Sequence, residues 1–430
     1  MRRLTRLAGT TFDSLRVRNY RLYFIGQVIS VSGSWMQRVA QAWLVLHVSG
    51  SGLALGIVTG LQFLPVLLGG PWGGLLADRV DKRRLLVWTQ AGMGLLALLL
   101  GLLTIAGVVQ LWMVYALALG LGCLTAIDNP ARQAFVAEMV GREHVMNAVS
   151  LNSAVFTSAR IIGPAFAGLL INLVGTGWCF VVNAVSFGAV IVALSLMRRQ
   201  ELRGALPSRR GPGQVRAGLS YAWSRSELRV PLLLMAAVGT LALNFTVVLP
   251  LLASQTFHGN AGTYGLLFST LGLGSLLGAL FAAGRREPSR RLLLLALLAF
   301  GGLMLAAAVA PSFWTELLVL VPLGAATITF QATANSTLQV NSDPALRGRV
   351  MALYGMVFMG TTPIGAPIVG LVSERFGARA ALALGGVAIL LALVGFGLWS
   401  GSTEWRRRRV GPLPEENKDR AGMPGPVLRG

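Results

Sequence analysis

The chain has 430 residues, of which 54% are apolar and 12% are charged, against about 25% charged residues in soluble globular domains. This composition excludes an ordinary soluble enzyme or binding domain and predicts an all-α membrane protein. The net charge of +21 does not point to nucleic acid, because all but four of the 37 Lys and Arg residues lie at the chain ends or in every second loop between apolar runs. That asymmetry follows the positive-inside rule and predicts that both termini are cytoplasmic.

Twelve apolar runs follow one another along the chain. Each has roughly 20 residues or more, which is the length that spans about 30 Å of hydrocarbon. We therefore predict twelve transmembrane helices. The runs cover residues 22–47, 52–76, 85–109, 111–133, 147–173, 178–197, 230–255, 262–284, 290–310, 313–339, 349–373 and 379–400.

The longest hydrophilic break, residues 198–229, is rich in Arg, Gly and Pro and is predicted to be a cytoplasmic linker. It separates an N-terminal six-helix bundle, residues 22–197, from a C-terminal one, residues 230–400. Residues 1–21 form a basic cytoplasmic segment, predicted to include a helix on the inner membrane surface. Residues 401–430 are polar and contain Pro, so they are predicted to be a disordered cytoplasmic tail.

Internal repetition supports two pseudo-symmetric bundles. Shifting the fifth run and its end by 202 positions superposes three pairs of glycines, which are Gly163 and Gly365, Gly168 and Gly370, and Gly175 and Gly377. Glycine is common here, with 53 residues, so these coincidences are suggestive and do not by themselves prove a repeat.

The loop after the second run contains an acidic residue, Asp78, that is not needed to set the orientation of the helices in the membrane. Positive charge alone would hold this loop in the cytoplasm, so Asp78 needs a separate explanation. The segment resembles the signature between helices 2 and 3 of the major facilitator superfamily, with Asp81 where that family usually has glycine. The matching residues are Gly74, Asp78, Arg79, Lys82 and Arg83. The resemblance implies that Asp78 is a conformational latch, which docks the two halves when the cytoplasmic side is closed.

Asp128 closes the fourth run and is predicted to lie in the inner third of the membrane. A charge within a transmembrane segment costs about 2.5–3.5 kcal/mol on insertion scales unless it is paired or protonated. Two interpretations stay open. Asp128 is either a structural partner near Pro130, tied to Arg132 or Arg160, or the carboxylate that couples transport to protons.

The fifth run contains Arg160, Gly163, Pro164 and Gly168. Proline inside a helix removes a hydrogen bond and kinks it, while small residues permit close helix contact. An ordinary proline kink is one interpretation. The segment also resembles the Gly-Pro signature in helix 5 of major facilitator antiporters, which implies export and not import.

Several aromatic, amide and basic residues in the runs are candidates for lining a substrate cavity, although such residues also serve as helix packing. Arg38 and Arg160 lie deep in the membrane and are expected to face a cavity or a buried acid. Arg160 could pair with Asp128, or the arginines could create an electropositive cavity for anionic or carbonyl-rich cargo. The candidates are Trp35, Arg38, Trp43, Phe63, Asn152, Asn183, Asn244, Phe245 and Gln331.

Residues 33–44 and 128–135 sharpen the resemblance. They are similar to the major facilitator branch that contains the enterobactin exporter and bacterial macrolide and tetracycline efflux proteins. The similarity covers residues 15–400 and implies the major facilitator fold, with a site between two six-helix halves. Ala116, four residues before Gly120, stands where drug:proton antiporters commonly have arginine, which puts an arginine-assisted proton relay there in doubt.

The sequence contains no nucleotide-binding loop, zinc helix or nucleophile elbow, so we predict a protein that is not an enzyme and uses an ion gradient. Cys123 and Cys179 lie in apolar runs and the three His are scattered, so no cofactor or metal is expected. We predict a monomeric secondary exporter of a drug, a macrolide- or tetracycline-like compound or a siderophore, with the proton as coupling ion. The alternatives are a major facilitator importer or uniporter of a small metabolite, a permease subunit driven by a separate ATPase and a membrane protein without transport activity.

The predicted location is the bacterial cytoplasmic membrane, since no cleavable signal peptide or lipidation motif is seen. The basic termini, including Arg406 to Arg409, are expected to contact anionic lipid head groups.

Overall fold

The computed structural model describes residues 12–202, 214–285, 288–344 and 346–409, and within these ranges it contains helices and no strands. Side chains are described for the same residues, except 71, 75, 77, 78, 142, 214–218 and 397–409. The helices are α1 (Arg18–Ser49), α2 (Gly52–Arg79), α3 (Lys82–Ile105), α4 (Leu111–Gly141), α5 (Glu143–Val174), α6 (Thr176–Ser195), α7 (Gln214–Ser224), α8 (Ser226–Leu241), α9 (Phe245–Leu251), α10 (Ala261–Ala283), α11 (Arg290–Ala308), α12 (Phe313–Asn341), α13 (Arg347–Gly360), α14 (Thr362–Phe376) and α15 (Ala378–Arg409).

Eleven helical segments of the described chain are long and apolar enough to cross a membrane. Two of them are composite, because α8 continues through α9 to Thr256 and α13 continues through α14. Helix α1, with 32 residues, is the twelfth predicted span. It is long enough but carries Gln27, Gln37, Arg38 and Gln41, which lower its hydropathy. The predicted all-α membrane architecture is confirmed, and the count of twelve spans depends on α1.

The fourth predicted span differs most from the structure. Helix α4 does not end near residue 133 but continues to Gly141, which has φ 73° and ψ 172°. Glycine adopts positive φ without the steric cost of a β-carbon, so the chain turns there and α5 begins at Glu143. Arg132 consequently lies more than two turns before the end of α4.

The predicted linker is not wholly irregular. It contains α7, and α8 begins within its last residues, while residues 203–213 lie outside the described chain. Residues 1–11 and 410–430 also lie outside it, so the predicted surface helix and most of the predicted tail are not covered. Helix α15 runs to Arg409, and the disorder predicted for the tail from residue 401 remains a prediction.

The three glycine pairs of the internal repeat occupy equivalent places. A β-carbon on Gly163 would collide with α1, and one on Gly365 would collide with α8; one on Gly168 would meet α10, and one on Gly370 would meet α2. Gly175 and Gly377 both end a helix, with φ of 93° and 87°. The repetition in sequence therefore corresponds to a repetition of helix contacts.

The two halves contact each other at one end of the bundle, which we call the closed end. Here α2 approaches α14 at Gly52 and Gly370, and α5 approaches α10 at Gly168 and Gly262. Small residues allow the backbones to approach this closely. The largest cluster of buried apolar side chains also contains residues of both halves.

The halves separate toward the other end, which we call the open end. The face of α5 that contacts α10 between Ile161 and Gly168 is exposed further along the helix, at Met146, Val149 and Ser153. Helix α5 thus forms one wall of a cleft between the halves. The basic loop after α2 lies at this open end.

Candidate functional site

A buried polar cluster surrounds Asp128, which has no exposed surface. One carboxylate oxygen, Oδ1, accepts hydrogen bonds from the Thr89 hydroxyl at 2.7 Å and the Gln90 amide at 2.9 Å. The other, Oδ2, accepts from two nitrogens of the Arg132 guanidinium, with Nε at 3.0 Å. Arg132 also donates to Gln27 Oε1 at 2.8 Å, so the cluster joins α1, α3 and α4.

This geometry distinguishes between the structural partners expected for Asp128. Residues four apart on a helix are neighbours on its surface, so Asp128 and Arg132 meet on α4. Arg160 is not in this cluster. The hydrogen bonds from the Arg132 guanidinium are charge-assisted, and a coupling role for Asp128 remains a prediction. The contributions of Thr89, Gln90 and Gln27 were not predicted, since they depend on how three helices pack.

Two arginines converge on one tryptophan ring. The guanidinium carbon of Arg38 on α1 lies 4.5 Å from the centroid of the Trp35 ring, and that of Arg160 on α5 lies 5.7 Å from it. Neither arginine forms an ion pair within the described chain, and Arg160 Nε is buried without a hydrogen-bond partner. A pair between Arg160 and Asp128 is therefore absent, and two positive charges lie close to one aromatic ring.

An aromatic cluster lies between these arginines and the closed end. Trp35 packs against Phe268 with ring centroids 5.9 Å apart, and Trp43 stacks on Tyr264 at 6.5 Å. Both pairs join α1 in the first half to α10 in the second half. The structure places the predicted Trp35 and Trp43 where the halves meet. Their partners Tyr264 and Phe268 were not predicted, because each lies in an otherwise unremarkable apolar run.

Some of the other residues predicted to line a cavity are buried between helices, and the rest are partly exposed. Asn183 is 1% exposed, and its amide donates to Gln37, which ties α6 to α1. Asn244 and Phe245 are buried at the break between α8 and α9. Three further candidates are partly exposed, and these are Phe63, Asn152 and Gln331. Ser153, which was not predicted, lies on the exposed face of α5.

The glycine and proline residues of α5 lie where that helix contacts both halves. Gly163 approaches Trp35 and Ser32 on α1, while Pro164 and Gly168 approach Gly265 and Gly262 on α10. In addition, the Ser269 hydroxyl donates to the Ile161 carbonyl at 2.8 Å. The residues suggested as an antiporter-type kink are therefore contact positions, and their relation to the direction of transport remains a prediction.

The basic loop after α2 is fixed within its own half. Lys82 forms an ion pair with Glu138 of α4 at 2.8 Å, and Arg83 donates to the carbonyls of Leu194 and Ser195 at the end of α6. Asp81 has φ −55° and caps α3 by accepting from the Arg84 amide at 3.1 Å.

Position 81, where Asp81 has negative φ, therefore does not require the glycine that the family usually has there. The side chain of Asp78 lies outside the described residues, so the latch assigned to it with Gly74 and Arg79 remains a prediction.

A polar contact between the halves occurs at the closed end. Glu374, near the end of α14, accepts a hydrogen bond from the Ser51 hydroxyl at 2.5 Å and another from the Leu53 backbone amide at 2.9 Å. Ser51 is the N-cap of α2. A carboxylate at a helix N-terminus interacts favourably with the partial positive charge there, so this contact stabilises the closed end.

A cavity of about 580 Å³ lies between α2 and α4 toward the open end. Pro65, Trp72, Cys123 and Ile127 contribute to its almost entirely apolar wall. It offers hydrophobic contact, with Arg79 as the charged residue on its lining.

Comparisons with known proteins agree with one another. The profile of the transmembrane secretion effector family matches residues 9–401. The staphyloferrin A transporter of Staphylococcus aureus is 24% identical over 86% of this chain and 93% of its own length. The enterobactin exporter EntS of Citrobacter koseri is 26% identical over 92% and 95%, and the multidrug efflux pump Tap of Mycolicibacterium fortuitum is 28% identical over 84% and 91%.

Solved structures show the same fold. A bacterial homologue of the human lysosomal transporter Spinster, in an inward-facing and occupied conformation, matches with a TM-score of 0.72 and 16% identity, over 90% of this chain and 97% of the other. A POT family transporter in complex with 5-aminolevulinic acid matches with a TM-score of 0.70 and 11% identity, over 90% and 96%.

Proposed function

The chain belongs to the transmembrane secretion effector family of major facilitator transporters, and from that premise we propose that it exports an anionic small molecule across the bacterial cytoplasmic membrane. The family confirms the predicted major facilitator fold, the predicted branch and the prediction that the protein is a transporter and not an enzyme. The cargo, the direction and the coupling ion belong to the proposal.

The pair of arginines on Trp35 supports the choice of an anionic cargo. Two half-buried cations without an acidic partner are costly, because each loses hydration that no nearby anion replaces. A carboxylate or catecholate between Arg38 and Arg160 would supply that charge, and each charge-assisted hydrogen bond contributes about 1.5–3 kcal/mol. The ring of Trp35 would add an apolar face for an aromatic cargo. Two relatives are named for transport of staphyloferrin A and enterobactin, which supports a siderophore-like compound.

The arrangement of charge supports an orientation of the cleft in the membrane. Basic residues cluster at the open end, which by the positive-inside rule faces the cytoplasm. The cleft is then inward-open, and cargo enters it from the cytoplasm. Opening of the closed end with closure of the open end would release the cargo outside, as in alternating access. The relatives named as exporter and efflux pump support the same direction.

Asp128 supports a role for the proton in this cycle. Its carboxylate accepts hydrogen bonds from Arg132, Thr89 and Gln90. Protonation would weaken the pair with Arg132 and release part of the cluster between α1, α3 and α4. The proposed antiport uses that change once in each cycle.

Transport in everted membrane vesicles tests the proposal. With an acidic interior and no ATP, we expect the vesicles to accumulate enterobactin more than the cation ethidium, and a protonophore should abolish the accumulation. Arg291→Gln, at the open end of α11, is a matched control that should transport normally. Accumulation that requires ATP, or that is equal with and without the pH gradient, would contradict the proposed antiport.

A further inference from the structure

Glu316 is a buried carboxylate that the proposed transport site does not use. It lies in the first turn of α12, at the closed end, and is 1% exposed. Neither of its carboxylate oxygens has a hydrogen-bond partner among the described residues. This environment is the opposite of that of Asp128, whose oxygens accept four hydrogen bonds.

One basic residue lies near Glu316 without forming an ion pair with it. Arg379, at the start of α15, is its charged neighbour, but the two form no ion pair, and Arg379 donates instead to the Ala310 carbonyl at 2.7 Å. Arg379 Nε is buried and has no partner. A carboxylate and a guanidinium, each with unused hydrogen-bonding capacity, thus lie near each other at the ends of α12 and α15.

The helices packed against α12 supply little other charge at this end. They are α8, α10, α11 and α13. On α10 the titratable residue at the closed end is Tyr264, whose hydroxyl has no partner. The charged residues of the other three helices lie at the open end, and these are Glu227, Arg229, Arg290, Arg291, Arg347 and Arg349.

An ionised carboxylate in such a place would lose its hydration without gaining hydrogen bonds, and buried groups of this kind become neutral by binding a proton. We propose that Glu316 is a proton-binding site that is occupied when the closed end is closed and emptied when that end opens. When the end opens, the ionised carboxylate pairs with Arg379. Proton binding therefore favours the conformation seen here.

The neighbouring segment is suited to such a rearrangement. Between α9 and α10 the chain forms a π-helical turn over Leu252–Thr256, a structure that is rare and frequently found at functional sites. Phe257, directly after this turn, packs edge to face on Phe313 of the first turn of α12, with ring centroids 5.6 Å apart. Movement of the irregular segment would change the packing around Glu316.

The proposal concerns the conformational equilibrium, and it does not require the proposed cargo or direction. Because binding and conformation are linked, a proton that favours the closed form must be held more tightly by that form. Acid should therefore raise the ratio of closed to open forms at this end. Coupling between sites is typically about 5- to 150-fold, and a change in that range is expected here.

Spin-label distances test this prediction. Labels at Val174→Cys and Phe376→Cys, which are exposed at the closed end in opposite halves, report the separation after Cys123 and Cys179 are replaced by serine. In acid the short distance should gain population, and Glu316→Gln should hold it at every pH. Glu227→Gln, an acid-to-amide change at the open end, should respond to pH as the unsubstituted protein does. A normal pH response in Glu316→Gln, or no response in the unsubstituted protein, would overturn the proposal.

Infrared spectroscopy provides a second test of the proposal, in case Glu316→Gln folds poorly. Infrared difference spectra of the intact protein should show the carbonyl stretch of a buried protonated carboxylic acid, which Glu316→Asp shifts and Glu316→Gln removes. Absence of the band would overturn the proposal. Because neither measurement uses cargo or a gradient, failed export with an intact pH response contradicts only the proposed function.

Discussion

Buried polar side chains of this protein differ in how completely their hydrogen-bonding groups are satisfied. Asp128 accepts four hydrogen bonds, while Glu316 accepts none within the described chain. Arg132 has a carboxylate partner, but Arg38 and Arg160 have none. A satisfied group fixes helices in place, and an unsatisfied one has capacity for a ligand or a proton.

Asp128→Asn should destabilise the protein as well as prevent gradient-driven export. Removing one partner of a buried ion pair leaves the other charge uncompensated, which costs about 3–5 kcal/mol. The double variant Asp128→Asn with Arg132→Gln should regain most of the melting temperature in detergent, yet remain inactive in vesicles with an imposed pH gradient. Undiminished export by a well-expressed Asp128→Asn protein would remove Asp128 from the coupling mechanism.

Arg38→Gln should weaken export of anionic cargo more than that of cationic cargo. Loss of one guanidinium removes a charge-assisted contact of about 1.5–3 kcal/mol, or roughly 10- to 150-fold in affinity. Binding of enterobactin and of ethidium to the purified protein measures the difference, with Arg291→Gln as the control. Equal losses for both compounds would identify Arg38 as a structural residue.

At the scale of elements, helix ends determine which parts of the two halves hold together. The N-terminus of α2 receives Glu374 from α14, and the glycines of both helices permit the approach. Within the first half, Lys82, Arg83 and Asp81 fix the start of α3 to α4 and α6. Contacts within one half persist when the halves move, whereas contacts between halves must break.

Glu374→Gln should favour opening of the closed end. The amide retains a hydrogen-bond acceptor but loses the charge, which is worth about 0.3–1 kcal/mol at an exposed helix N-terminus, or a two- to fivefold change in the ratio of conformations. Spin labels at Val174→Cys and Phe376→Cys measure this ratio. Ser51→Ala should cause a similar change, and the two substitutions together should not add fully, because both weaken the hydrogen bond between Ser51 and Glu374. Full additivity would contradict the proposed contact between halves.

At the scale of the whole molecule, the two ends must open alternately. Glu374 contacts the other half at the closed end, and the predicted latch at Asp78 would stabilise the opposite conformation. Asp78 lies near the end of α2, and Glu374 lies near the end of α14. The balance between the two contacts would then determine how much protein occupies the conformation seen here.

Asp78→Asn should increase the population of the conformation seen here and slow export. Loss of about 1.4 kcal/mol from the alternative conformation would change the ratio tenfold. Labels at Met146→Cys and Val340→Cys, both exposed at the open end, measure the separation of the halves there. Asp81→Asn, which alters the cap of α3 but not the predicted latch, is the matched control. An unchanged distance distribution in Asp78→Asn would show that Asp78 only shapes its loop.

Sequence alone determined the properties that depend on neighbouring residues along the chain. Hydropathy indicated the helices, and spacing by 202 residues indicated glycines that make equivalent contacts. Arg132 was one of the two partners predicted for Asp128. Helix boundaries near Gly141 were less accurate, because α4 continues beyond its apolar run.

Tertiary structure alone decided which distant residues meet. Arg38 and Arg160 are 122 positions apart and share Trp35 only because α5 crosses α1 at Gly163. The contact of Glu374 with Ser51 depends on the closed end being closed, and the isolation of Glu316 depends on every helix around α12. Such features follow from the packing of whole helices, which no local pattern of residues encodes.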